Sequence, residues 1–143
     1  MFNSRLRPRT LIADDHPIML STIARLVGQD CDVIGTAADG DALLRDARRL
    51  KPDLIILDIF MPVMDGFAAG RQIKVEFPQT RFIYITFDPD PALIAEAVRI
   101  GASAVVPKES AGKQLLQAIK MTTALATSQT DLKVRATSGQ RRV

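Results

Sequence analysis

The sequence predicts an α/β fold: a single doubly wound parallel sheet of five strands flanked by five helices. Three observations predict it. Short apolar runs alternate with amphipathic segments, the connections between them are short, and the third run, Leu54 to Leu57, carries nothing polar. A strand covered by helices on both faces reads in that way, and alternation with short links implies parallel pairing. At 143 residues the chain is long enough for one domain with a substantial core.

The first element, "TLIA", reads as a strand ending at Asp14, and Pro17 to Gly28 places Met19, Leu20, Ile23, Leu26 and Val27 on one helical face, with Gly28 as a stop. "CDVIGTA" is the second strand. "DGDALLRDARRL" is a helix with Ala42, Leu43, Ala47 and Leu50 on its apolar side, ended by Lys51-Pro52. "DLIILD" is the third strand, succeeded by a loop and a helix from Gly66 to Phe77. "RFIYIT" is the fourth, ending on Thr86, and Asp90-Pro91 supplies an N-cap and a first-turn proline for a helix from Pro91 to Ile100. "SAVVPK" is the fifth, after which Ser110 caps a last helix carrying Leu115, Leu116, Ile119 and Met121. From about residue 127 the periodicity is lost. The expected organisation is a basic extension over residues 1–8, one domain over 9–126, and a flexible tail or linker over 127–143.

Composition is ordinary for a soluble domain, 47% hydrophobic and 24% charged. No apolar run approaches the roughly 18 residues that span a bilayer, and the basic start runs into Asp14 and Asp15 with no signal core. The single cysteine, Cys31, forms no internal disulfide and fits a reducing cytoplasm. The formal net charge of +3 misleads: Arg5, Arg7 and Arg9 at the head, and Lys133, Arg135, Arg141 and Arg142 at the tail, leave the middle mildly acidic. Such a domain is not a nucleic-acid binder by charge.

In an open parallel sheet, function collects beyond the carboxyl ends of the strands. The first strand ends in Asp14-Asp15, the third in Asp58, the fourth in Thr86 and the fifth in Lys108, and these groups share one rim if strands one, three, four and five are neighbours. Three carboxylates in one pocket repel, so either one keeps a proton or a cation neutralises them. All-oxygen ligation completed by phosphate oxygens suits Mg²⁺, or Mn²⁺ in its place. Thr86 as a donor and Lys108 as a mobile charge complement a transferring phosphoryl group, with Asp58 as the nucleophile. Taken singly, Asp14 and Asp15 are also a plain helix start, Thr86 a strand-end threonine and Lys108 a surface lysine. His16 reads as a loop residue without a catalytic part, and Asp65-Gly66 as turn chemistry.

The set "ADDHP", "LIILDIFMPVMDG", "YIT" and "VVPK", in this order and spacing, resembles a response-regulator receiver domain of two-component signalling, with "DDHP" and "VIGTAADG" most similar to receivers of the NarL/LuxR type. The resemblance covers about residues 9–126. It implies a flavodoxin-like, CheY-like sheet of order 2-1-3-4-5. It further implies that Asp15, Asp58 and the Phe60 carbonyl contact Mg²⁺, that Asp14 holds a metal-bound water, and that Asp58 takes a phosphoryl group from a sensor histidine kinase or a small phosphodonor. Thr86 and Lys108 would then hold the phosphoryl oxygens, and phosphorylation would draw in Thr86 and reshape the face of the fourth helix, fifth strand and fifth helix. A signalling domain rather than a metabolic enzyme is implied, cytoplasmic, with an output domain or downstream protein and a homodimer among its partners, no membrane, and DNA only through a domain not present in this chain.

Three departures stand out. Val105 occupies the fifth-strand position where the family usually has Tyr or Phe; Phe87 comes after the threonine where a small residue is usual; and Pro107 precedes Lys108 where many receivers have a proline after it. Phe87 and Val105 are therefore expected to modify switching and dephosphorylation. Three other classes compete. A dehalogenase-like phosphohydrolase would open Asp-x-Asp after the first strand, and a flavin-binding protein would need a Ser/Thr/Gly-rich phosphate loop there. A receiver fold kept only for protein interaction is the remaining alternative.

Overall fold

The computed structural model describes residues 7–124. The strands are β1 (Arg9–Ala13), β2 (Asp32–Ala37), β3 (Leu54–Asp58), β4 (Arg81–Thr86) and β5 (Ala104–Pro107). They alternate with α1 (Pro17–Val27), α2 (Gly40–Leu50), α3 (Gly66–Glu76) and α4 (Pro91–Ile100), and α5 occupies residues 111–124. All strand pairs are parallel, in the order β2-β1-β3-β4-β5. The expected extension over 1–8 lies mostly outside the described residues, as does all of the tail over 127–143.

Alternation along the central strands sends side chains to two cores. Leu11, Ala13, Ile55, Leu57, Phe82 and Tyr84 meet Leu43 and Ala47 of α2, Ile73 of α3 and Ala97 of α4. Ile12, Ile56, Ile83 and Ile85 point the other way, onto Ile23 and Val27 of α1 and Leu115 and Ile119 of α5. Two covered faces explain why β3 is buried at every position, Asp58 included.

Helix ends obey their sequence signals, with local exceptions. Asp39, Asp65 and Asp90 accept the backbone N–H of Ala42, Ala68 and Ala92 at 2.8, 2.8 and 2.7 Å, capping α2, α3 and α4. Gly28 succeeds α1 in a right-handed conformation, with φ −60°, so it ends the helix without the left-handed turn that favours glycine. That turn is taken instead by Lys51 after α2 and by Gly101 after α4. Lys108 lies just past β5, in a 3₁₀ turn over Lys108–Ser110 that leads into α5, so Ser110 belongs to that turn rather than standing ahead of it as a cap. Pro107 ends the edge strand β5, where its missing N–H costs no ladder bond.

Candidate functional site

β1 and β3 are adjacent, so Asp14, just beyond β1, and Asp58, at the end of β3, reach one rim of the sheet. Lys108 joins them from the turn after β5. Its Nζ lies 2.9 Å from Asp58 Oδ2, as a hydrogen bond, and 2.8 Å from Asp14 Oδ2. The second contact is one of charge alone: Asp14 Oδ2 is fully buried and accepts no aligned hydrogen bond. All three side chains are almost inaccessible to solvent. Burial pushes the Asp58 carboxyl above its ordinary range; the Lys108 ammonium and the Phe60 N–H work against the rise, and Asp14 adds to it.

Asp15 is partly exposed at the mouth. His16 lies between the two acids, Nδ1 being 3.0 Å from Asp14 Oδ1 and 3.1 Å from Asp15 Oδ1, while its backbone N–H donates to Asp14 Oδ1 at 2.9 Å. Asp14, Asp15, His16 and Asp58 offer ligand atoms within 4.8 Å of one another. That spacing and the oxygen-rich donors fit a hard divalent cation. From the sequence His16 is expected to be a loop residue without a catalytic part; what the structure adds is its contact with both acids. The signal available is its place next to both acids at a strand–helix junction.

The loop from β3 to α3 is tightly built. The Phe60 N–H donates to Asp58 Oδ1 at 3.2 Å, which holds the carboxylate toward the loop and the Phe60 ring out in solvent. Met64 N–H donates to Pro62 O at 2.7 Å across Val63, whose φ of 68° marks a γ-turn that a β-branched residue adopts only under strain. Gly66 N–H returns to Ile59 O at 2.7 Å and closes the loop.

Thr86 is buried at the end of β4, but its hydroxyl is not brought to the carboxylates. It accepts the Asp88 N–H at 3.0 Å and faces the Asp88 carbonyl at 3.3 Å, fastening the start of the next loop. Phe87 is brought to the site: its ring centroid lies 4.7 Å from Lys108 Nζ. Val105 pairs in register with Tyr84 and packs on the α2–α4 side of the sheet. Tyr84 is fully buried there, beside Val105 on the neighbouring strand.

The family model described as the response regulator receiver domain matches residues 10–120. The chain belongs to the response-regulator receivers. The transcriptional regulatory protein LnrK of Bacillus subtilis is 33% identical over 113 residues, covering 78% of this chain and 51% of that protein. The response regulator protein VraR of Staphylococcus aureus is 30% identical over 116 residues, covering 80% of this chain and 56% of the relative. Among solved structures, a two-component response regulator of the LuxR family from Aurantimonas sp. SI85-9A1 superposes with a TM-score of 0.78 at 31% identity, over 82% of this chain and 86% of that one. This receiver is thus of the NarL/LuxR type, and it spans about half the length of the curated relatives it matches. Receivers of this family are signalling domains and generally bind Mg²⁺. No helix among the described residues is long and apolar enough to cross a membrane.

Proposed function

We propose that this receiver accepts a phosphoryl group on Asp58 and passes the change to an output domain or a downstream protein. What carries the reading is the buried contact of Lys108 with both Asp58 and Asp14, a cation held against the acid that closes β3. Asp15, Asp58 and the Phe60 carbonyl would hold Mg²⁺, with Asp14 acting through a bound water. The ion, when bound, neutralises the carboxylates and offsets charge on the phosphoryl oxygens.

An oxygen of the Asp58 carboxylate attacks the phosphorus of a phosphohistidine on a sensor kinase. The new O–P bond forms as the P–N bond breaks, and the electron pair leaves with the imidazole nitrogen. Lys108, already bonded to Asp58, transfers its N–H donors to the phosphoryl oxygens. Thr86 reaches the same oxygens by exchanging its Asp88 contacts for them, so the loop after β4 moves when the site is loaded. Phe87 roofs the Lys108 side and restricts water, which slows hydrolysis of the acyl phosphate. Val105 leaves the usual aromatic movement in β5 without its aromatic.

The domain works in the cytoplasm within residues 9–126, with residues 127–143 as a tail or a linker. DNA is reached only through a domain outside this chain, and a homodimer is one route by which phosphorylation acts. Incubation with acetyl phosphate and Mg²⁺, read by intact mass against an Asp58→Ala control, tests the reading. An added phosphoryl mass that needs both Asp58 and Mg²⁺ supports it; no added mass, and no binding of beryllofluoride, overturns it in favour of an interaction module.

A further inference from the structure

Tyr84 stands on β4 two residues before Thr86, on the same face of the strand, and is completely buried. Its hydroxyl donates to the Gly66 carbonyl at 2.7 Å. Its ring meets Phe67 and Phe82 edge to face, both at 5.5 Å between centroids, so its direction is fixed by packing on two sides. Burial lifts the phenol well above its ordinary range, which keeps the hydroxyl a neutral donor.

Two glycines of α3 are shaped around this contact. A Cβ at Gly70 would run into the Tyr84 hydroxyl, and one at Gly66 would run into the Asp58 carbonyl oxygen. A glycine inside a helix costs about 1 kcal/mol relative to alanine, and at Gly70 the absent side chain is the space the hydroxyl passes through. Gly66 therefore makes three contacts at once: Tyr84 on its carbonyl, Ile59 O on its N–H, and the Asp58 backbone against its Cα. The segment it closes, residues 59–65, carries Phe60, whose N–H orients the Asp58 carboxylate.

We propose that Tyr84 is a positioning residue for the phosphoacceptor site: its bond to Gly66 ties the loop after Asp58 to β4 and sets how tightly the site binds its divalent cation. The inference rests on the proposed metal role of Asp58 and the Phe60 carbonyl and deepens it. A hydroxyl on β4 thereby acts on ligands supplied by β3 and its loop. The same bond couples Thr86 to α3, because both Tyr84 and Thr86 ride on one strand.

Titration calorimetry with Mg²⁺ alone, on the wild-type chain and on Tyr84→Phe, tests this, with thermal denaturation run in parallel without metal. The expected result is a Mg²⁺ affinity about 5-fold weaker in Tyr84→Phe, the fold-change of one ordinary hydrogen bond. Because loss of the hydroxyl also loosens packing, a second variant combines Tyr84→Phe with Gly70→Ala. The added methyl refills the vacated space, its nearest neighbours being Tyr84 Cζ at 3.1 Å and Phe82 Cε2 at 3.2 Å, so they yield by a few tenths of an ångström. Restored melting with Mg²⁺ binding still weak supports positioning. Wild-type affinity in Tyr84→Phe, or affinity that returns together with the melting temperature, reduces Tyr84 to a packing residue and overturns the proposal. A wild-type chain that binds no Mg²⁺ overturns the functional reading itself, and this inference with it.

Discussion

The Phe87 ring lies 4.7 Å from the Lys108 ammonium, the same ammonium that is hydrogen-bonded to Asp58 at 2.9 Å. A half-exposed aromatic thus covers the charge proposed to hold the phosphoryl oxygens. A cation–π contact at such a site is worth about 0.5–1 kcal/mol. Phe87→Ala removes both the roof and the contact, and the phosphorylated form is expected to lose its phosphoryl group about 2- to 5-fold faster, as that energy implies. The decay of the added mass after removal of acetyl phosphate measures this. An unchanged half-life means the ring does not limit water.

Lys108 is the cation between two buried carboxylates, and its truncation leaves them facing each other. Removing one partner of a buried ion pair costs on the order of 3–5 kcal/mol. Lys108→Ala is therefore expected to unfold at lower temperature than the wild type, and to be stabilised more strongly by millimolar Mg²⁺, since an ion bound only to the folded state replaces the lost charge. Melting curves with and without Mg²⁺ check both parts. A Mg²⁺ response no larger than that of the wild type would show that the carboxylates find relief elsewhere.

Gly66 has no room for a side chain, because a Cβ there meets the Asp58 carbonyl and lies 2.8 Å from Ile59 Cα. Backbone cannot yield as a side-chain tip does. Gly66→Ala is expected to cost roughly 1–3 kcal/mol, the range for overpacking, and to lower beryllofluoride binding by displacing Asp58. Urea titration gives the first number and fluoride NMR the second. Full stability with intact binding would mean that α3 shifts freely.

Glu76, at the end of α3, is held to a pKa of about 2, first by the two-pronged hydrogen bonds of Arg48, both 2.7 Å, and then by Gln72. The unfolded carboxyl titrates near 4.5, so between 4.5 and about 2 the unfolded chain binds more protons than the folded one. The pair's contribution is complete above the upper value and disappears as the pH falls through the lower one. Glu76→Gln should flatten the dependence of stability on pH in that window and leave its slope near neutrality unchanged. Denaturation midpoints between pH 2 and pH 6 provide the comparison.

Much of this receiver is legible in one dimension because the relevant signals are local. The unbroken apolar run of Leu54 to Leu57 can lie only between two layers, and Asp39, Asp65 and Asp90 satisfy N–H groups two or three residues away. The candidate site is readable for a related reason: parallel strands deliver their carboxyl ends to one edge, so Asp14, Asp15, Asp58 and Lys108 share a rim once their strands are neighbours, an order that the family resemblance implies and the sheet has. The contact of His16 with both acids escapes such a reading because a lone histidine before proline carries no periodic signal. Its position between Asp14 and Asp15 depends on how the chain turns from β1 into α1.

By itself, then, the sequence determined the order of strands and helices, the two-sided burial of the sheet and the acids at its rim, all of which arise from periodicity and short-range capping. Tertiary structure alone decided which groups touch. Lys108 meets Asp58 across 50 positions of sequence, the Thr86 hydroxyl turns to Asp88 instead of the carboxylates, Phe87 folds over Lys108, and Tyr84 reaches beneath α3 to Gly66. Such contacts depend on strand register and on space left by residues far along the chain, here Gly66 and Gly70, and no local pattern encodes that space.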